Sequence, residues 1–261
     1  NSIAMLNHRH EVLLLDAQEQ LHRLDSSPFG ASTGLSFSSD GRWLAYDLAD
    51  SSQTTSIKVC RIEDRETFFA TRGVLQDYSP SFDPDGKYLY FVGRRDLEAS
   101  HDDAEFGLSF PRSRRLFAIA LRKDVPNPFI PQAKPLESEA VQAKKKAEEE
   151  LSHQIQPTDI DLDGINQRVI AFPLDMGLYT EVRGARNRVL FLQGDSKYSQ
   201  HYTLEIYEFK TQKQVRLINK WIQHYSLAAD YRTVVYRNDA SLRVLPAEEY
   251  AGSHSGNNRL S

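Results

Sequence analysis

Three stretches of this chain carry residues whose types and spacing could do chemistry. Gly30-Ala31-Ser32-Thr33-Gly34 matches G-x-S-x-G, the corner that presents a nucleophilic serine in α/β-hydrolases. That corner works between a strand and a helix, where backbone amides support the oxyanion. Here Leu35-Ser36-Phe37-Ser38 follows at once, a strand pattern without helical period, so the segment reads as a loop between strands. Asp159-x-Asp161-x-Asp163-Gly164 imitates the start of a calcium loop, yet Ile170 stands where the bidentate carboxylate is needed. Ile160 and Leu162 alternate with the aspartates, the pattern of a strand with one wet face and then a turn. His101, Asp102, Asp103 and Glu105 gather potential ligands in one polar loop, but neighbouring residues on a loop are poorly placed to close a coordination shell. No metal and no cofactor is expected. Cys60 lies in the alternating strand IKVCRI and reads as a buried small hydrophobe. As the lone cysteine it has no intrachain disulfide partner, which fits a reducing compartment.

The elements that must position these groups are written twice. Residues 35–46, LSFSSDGRWLAY, return as PSFDPDGKYLYF at 80–91, so Phe37 and Phe82, Asp40 and Asp85, and Gly41 and Gly86 stand 45 apart. Each copy is a strand, a tight turn and a second strand, with glycine supplying a left-handed corner. Weaker copies lie around Val189, 100 residues after Leu89, and around Leu227, 190 residues after Phe37. Both lack the turn glycine, which predicts different turns there. A period of 40–45 residues is the mark of β-propeller blades, small sheets that bury their faces only by stacking. The fold class is therefore all-β, a propeller of TolB- or WD40-like blades. Phe37, Leu44, Phe82, Leu89, Val189, Leu227 and Val234 are expected between blades.

The 261 residues are 40% hydrophobic with a net charge of −4, both signs mixed, which supplies a core and no basic face for nucleic acid. No apolar run reaches membrane-span length, and no signal-peptide pattern opens the chain. Blades are assigned to 3–30 (partial), 35–75, 80–172, 178–218 and 221–250, about five in all, with a linker at 251–261. The third assignment carries a charged insertion at 132–157; its lysines and glutamates offer no apolar stripe, so it reads as a solvated helix or disordered tether. A long polar loop, 93–113, separates two strands of the same blade.

YFVGRRD, SRRLFAIALRKDVPNPFIP and DIDLDGINQRVIAFPLDMGLYTEVRGARNRVLFL together resemble the second propeller of tricorn-type proteases, serine peptidases of family S41. The resemblance covers about residues 7–246, and LRKDVPNPF and IDLDGINQRV are its narrowest motifs. It implies a seven-bladed ring of which this chain holds the later part. It also implies downstream PDZ and catalytic domains carrying the serine nucleophile and histidine, cytoplasmic location, and a homo-oligomer, hexameric in the family. No catalytic residue is expected in this chain.

The function read from these features is non-catalytic: a propeller that guides or filters peptides on their way to a peptidase site. By phase, Ser36, Ser81, Glu181 and Ser226, with Asp83 and Arg183 opposite, approach the central channel. Tyr78, Tyr179, Arg183 and His224 are the candidate peptide contacts, and blade-to-blade hydrogen bonding is the competing role for each. The alternatives are an interaction scaffold, or the propeller of a prolyl-oligopeptidase-like hydrolase.

Overall fold

The computed structural model describes residues 2–72, 75–95, 100–102, 107–109, 113–130, 157–194, 202–238 and 241–247. Alternating apolar residues make its elements almost wholly strands, arranged as successive antiparallel sheets. The first sheet is β1 (Ile3–Leu6), β2 (Glu11–Leu15) and β3 (Leu21–Ser26). The second is β4 (Leu35–Phe37), β5 (Trp43–Ala49), β6 (Thr55–Arg61) and β7 (Thr67–Phe69). The third begins with β8 (Gln76–Phe82) and β9 (Tyr88–Arg94). The polar loop then carries a short hairpin of its own, β10 (Ser100–Asp102) and β11 (Gly107–Ser109). β12 (Arg115–Ala120) and β13 (Val169–Ala171) complete the third sheet. A single parallel pairing, Thr55 with Gln76, joins the second and third sheets at one edge. The fourth is β14 (Leu178–Ala185), β15 (Arg188–Gly194), β16 (Tyr202–Glu208) and β17 (Lys213–Ile222). The fifth is β18 (His224–Leu227), β19 (Thr233–Asn238) and β20 (Ser241–Pro246). These are the blades of a partial β-propeller. The charged insertion, apart from Pro157, and the tail at 251–261 lie outside the described residues.

Four apolar layers lie between the sheets. Val12, Leu44, Tyr46 and Cys60 pack the first interface, Ile57, Phe82, Leu89 and Ile119 the second. Tyr90, Leu116, Phe172 and Phe191 fill the third, and Leu190, Leu204, Tyr225 and Val234 the fourth. Leu44, Phe82, Leu89, Val189 and Val234 are buried as expected. Phe37 and Leu227 are only partly so: each stands on a strand of three or four residues at a blade edge and packs against the layer from its margin. Burial pushes the Cys60 thiol up to about 12, consistent with a core hydrophobe.

The corners correct one expectation. Gly41 and Gly86 take φ of 70° and 67° in four-residue turns closed by amide bonds back to Ser38 and Asp83. The fifth blade keeps this turn, with Tyr231 donating to Ala228 and holding φ at 56° where its sisters have glycine. A bulky residue in the left-handed region is costly, and the surrounding hydrogen bonds hold it there. Asp230 helps, accepting from the amides of Arg232 and Thr233 at 2.9 Å each. Only the fourth blade changes turn type, with Ala185 paired to Arg188 across a two-residue corner and Asn187 at φ 58°.

A second difference concerns 157–163. The segment is extended but joins no ladder; a turn and a 3-10 helix (Ile165–Gln167) follow it. Ile160 and Leu162 pack against the second apolar layer. Thr158 is fully buried between corners, its amide donating to Asp40 at 2.7 Å and its carbonyl accepting from Trp43 Nε1 at 3.0 Å.

Asp83, at the corner of the third blade, is buried with one oxygen accepting the Lys87 amide at 3.2 Å. Burial, with the charge of Asp85 added, raises its pKa from 3.8 to about 7. Between those values the folded chain holds a proton that the unfolded chain has lost. Stability therefore falls as pH rises through that window and is flat, for this group, below and above it. Between pH 5 and pH 8 this amounts to ~2–3 kcal/mol. Asp83→Asn keeps the acceptor for Lys87 and is expected to remove that slope. Urea midpoints of both proteins at pH 5 and 8 check it, and parallel pH profiles would contradict it.

Candidate functional site

The first strand of each complete blade, β4, β8 and β14, and the first strand of the fifth sheet, β18, carry the residues that sequence phase assigns to the channel. Two of their serines are spent on joining blades, while Ser226 is exposed. Ser36 Oγ accepts the Phe82 amide at 3.0 Å, and Ser81 Oγ accepts the Gly184 amide at 2.9 Å. Ser79 Oγ takes the Val182 amide at 3.3 Å. The contact is close enough to demand glycine at 184, where a Cβ would stand 2.5 Å from the Phe82 carbonyl oxygen.

Arg183 and His224 come together in another group. Arg183 Nη2 donates to Glu181 Oε1 at 2.8 Å, with side chains 31% and 22% exposed, so the pair is still wetted. Burial raises the Glu181 carboxyl, while the charges of Arg183 and then His224 oppose it, placing all three within one another's field. His224 is exposed. An arginine, a histidine and a carboxylate thus keep solvent-facing atoms on the first strands of the fourth and fifth blades. Such a group can hold a peptide carboxylate or carbonyl through the arginine and receive an N–H at the glutamate.

Tyr78 and Tyr179 form a second group, four positions back along β14 from Arg183. Tyr78 Oη donates to the Tyr179 carbonyl at 2.9 Å, and Arg114 Nη1 reaches the same oxygen at 3.3 Å. Arg114 also lies over the Tyr78 ring, 5.6 Å from its centroid. Tyr179 itself is enclosed: 2% exposed, edge-on to Phe191 at 5.4 Å, its hydroxyl donating to the Asp175 carbonyl at 2.8 Å. What Tyr179 offers its surroundings is a carbonyl already held by two donors.

The chemical motifs resolve into structural roles. The GASTG loop is tied to the buried Asp47, whose carboxylate accepts the Thr33 amide at 2.9 Å, the Thr33 hydroxyl at 2.9 Å and the Gly34 amide at 2.6 Å. Burial raises the Asp47 pKa, and these bonds oppose that. Ser32 Oγ is buried and, among the described residues, has no hydrogen-bond partner and so no base. The loop runs straight into β4. Asp159 pairs with Arg42 at 3.4 Å, Asp161 accepts the Lys123 amide at 2.7 Å, and Asp163 pairs with Lys123 Nζ at 3.0 Å. Among the described residues no three His, Cys, Asp or Glu side chains gather as a metal site. The side chains of His101, Asp102, Asp103 and Glu105 lie outside the described residues.

Sequence reasoning missed the ion pair of buried Asp77 with half-buried Arg95, Nη2 to Oδ2 at 2.6 Å, and the arginines flanking it. The doubled Arg-Arg of GRRD and SRRL was the available signal.

The comparisons with known proteins decide the lineage. The family model described as the tricorn protease second beta propeller domain matches residues 1–248. This chain belongs to that family. As a tricorn propeller it is 29% identical to a tricorn protease homolog of Streptomyces coelicolor over 95% of its length and 24% of the relative's. It is 26% identical to one from Saccharolobus solfataricus over 93% of its length and 22% of the relative's. The chain thus spans about a quarter of these proteins. A crystal structure of the tricorn protease superposes with a TM-score of 0.74 at 24% identity, covering 94% of this chain and 24% of that one. TolB from Acinetobacter baumannii gives 0.57 at 14% identity, covering 94% of this chain and 50% of that one. These two share the fold.

The two narrow motifs of the tricorn propeller meet in space. Arg168 of IDLDGINQRV donates to the carbonyls of Ala120, Leu121, Asp161 and Asp163, stitching that segment to β12 and its exit. Phe129 of LRKDVPNPF packs edge-on to Phe172 at 4.8 Å and Tyr207 at 5.7 Å, bridging the third and fourth blades.

Proposed function

We propose that this tricorn propeller is a non-catalytic part of a serine peptidase of oligopeptides and guides or filters peptide on its way to the active site. The observation that carries it is the contrast along the inner strands. Ser36, Ser79 and Ser81 are consumed in blade joining, while Glu181, Arg183 and His224 keep wetted polar atoms. Tyr78 and Tyr179 act in this reading by shaping the far end of β14. The downstream PDZ and catalytic domains of the parent, its assembly as a homo-oligomer, hexameric in this reading, and its cytoplasmic location are part of the same proposal. Among the described residues no helix is long and apolar enough to cross a membrane.

Amide hydrolysis needs a nucleophile, a base within hydrogen-bond reach and an oxyanion donor pair. Among the described residues Ser32 has no base, so the chain is expected to bind oligopeptides without cleaving them. A labelled decapeptide, followed by fluorescence anisotropy and then by mass spectrometry, tests both halves. Arg183→Ala with His224→Ala should weaken binding by about tenfold, the size of one lost charge-assisted contact. Turnover that disappears in Ser32→Ala would overturn the reading, as would full binding by the double variant.

A further inference from the structure

The end of the third blade opposite its Asp-Gly corner carries two Arg-Arg pairs that the hairpin register brings side by side. Arg115 pairs with Gly93 across β9 and β12, so one further step sets Arg114 opposite Arg94. Alternation along β9 separates the neighbours. Arg95 turns toward Phe91 and Phe117, 5.1 and 5.0 Å from their ring centroids, and is neutralised by Asp77. Arg94 takes the other face, with Tyr90 and Val92, where the fourth blade packs. Arg114 shares that face with Leu116.

Like charges directly opposite on one face of a sheet repel. Among the described residues no carboxylate is paired with Arg94 or Arg114. Both are half-buried, and Arg94 Nε is buried with no hydrogen-bond partner. Both stand beside one phenol: Arg114 lies over the Tyr78 ring, and on the neighbouring strand Tyr78 pairs with Val92, two residues before Arg94. Arg114 is held in place by the Tyr78 ring and the Tyr179 carbonyl. The result is a partly desolvated pair of cations with one unused donor, Arg94 Nε, and no counter-charge among the described residues.

We propose that Arg94 and Arg114, beside Tyr78, form an anion site that takes a carboxylate of an extended peptide. The proposal rests on the peptide-guiding reading and adds to it a preference for acidic segments. The carboxylate can come from an acidic side chain or from a C-terminus, and guanidinium forks bind either in the same bidentate way. Seated between Arg94 and Arg114, it offsets the repulsion between the two guanidiniums.

The test uses the 261-residue chain and four labelled octapeptides of one sequence: central glutamates or glutamines, each with a free or amidated C-terminus. Anisotropy at low salt should show the fully amidated glutamine peptide binding about tenfold more weakly than the most acidic one, with the discrimination shrinking at high salt. Comparing the glutamate amide with the glutamine acid identifies which carboxylate is read. Arg94→Gln with Arg114→Gln should abolish the discrimination while leaving the fully amidated peptide's affinity unchanged, and the double lysine variant should retain part of it. The glutamine variant is expected to fold, since it relieves a like-charge contact, and its thermal midpoint checks that. Binding of all four peptides without discrimination sinks this site and leaves the guiding role standing. Discrimination that survives in the folded glutamine variant also overturns it, and failure of every peptide to bind removes both.

Discussion

Arg95→Ala is expected to lower the stability of this chain by ~3–5 kcal/mol, the cost of stranding a buried charge. Asp77 has no exposed side-chain surface, and its two oxygens accept from Arg95 Nε at 3.0 Å and Nη2 at 2.6 Å. The guanidinium also covers Phe91 and Phe117. Truncation removes the only cation paired with that carboxylate among the described residues and opens the two rings to water. Asp77 then stands in an apolar layer without its partner, which costs free energy. Urea unfolding reads the effect as a lower midpoint at unchanged slope. Adding Asp77→Asn to the alanine variant should recover part of the loss, because the stranded charge is gone. A loss below about 1 kcal/mol for Arg95→Ala would show that water reaches Asp77 freely.

Phe82→Ala should cost a similar ~3–5 kcal/mol through a different route, a cavity between two blades. Phe82 is 4% exposed and packs with Leu89, Phe91 and Ile119. The layer cannot close around the hole easily. The Phe82 amide is held by Ser36, and its carbonyl lies against Gly184, so the backbone is fixed from both neighbouring blades. Phe37→Ala, at the same repeat position but on the half-buried margin of the first interface, should cost clearly less. Equal losses at the two positions would contradict the assignment of Phe82 to a sealed layer.

The repeated phrase made the blades legible because a propeller uses one local solution many times. Phe82, Leu89, Val189 and Val234 are buried at the positions that phase assigns to them. Tyr231 was not legible: glycine is the usual signal of a left-handed corner, and a tyrosine there is held by the turn's own hydrogen bonds. The GASTG loop shows the converse, a motif matched in letters whose context is fixed by Asp47, distant in sequence. Phase places Arg183 on an inner strand, but the enclosure of Tyr179 was not legible, since phase says which strand a residue belongs to and not whether its ring turns into the core. Arg94 and Arg114 become neighbours only through the register of β9 with β12, across a long loop. Such pairings carry no local sequence signal.

Site-directed cross-linking tests the central claim most directly, that peptide passes along the inner strands at Glu181, Arg183 and His224. A photoreactive residue replaces His224 in one variant and Leu242, an exposed position 52% open on the last strand, in another. Illumination with a labelled oligopeptide should join peptide to the variant at 224, in competition with unlabelled peptide, and leave the peptide intact. Equal labelling at both positions, or labelling at 242 alone, would contradict the account.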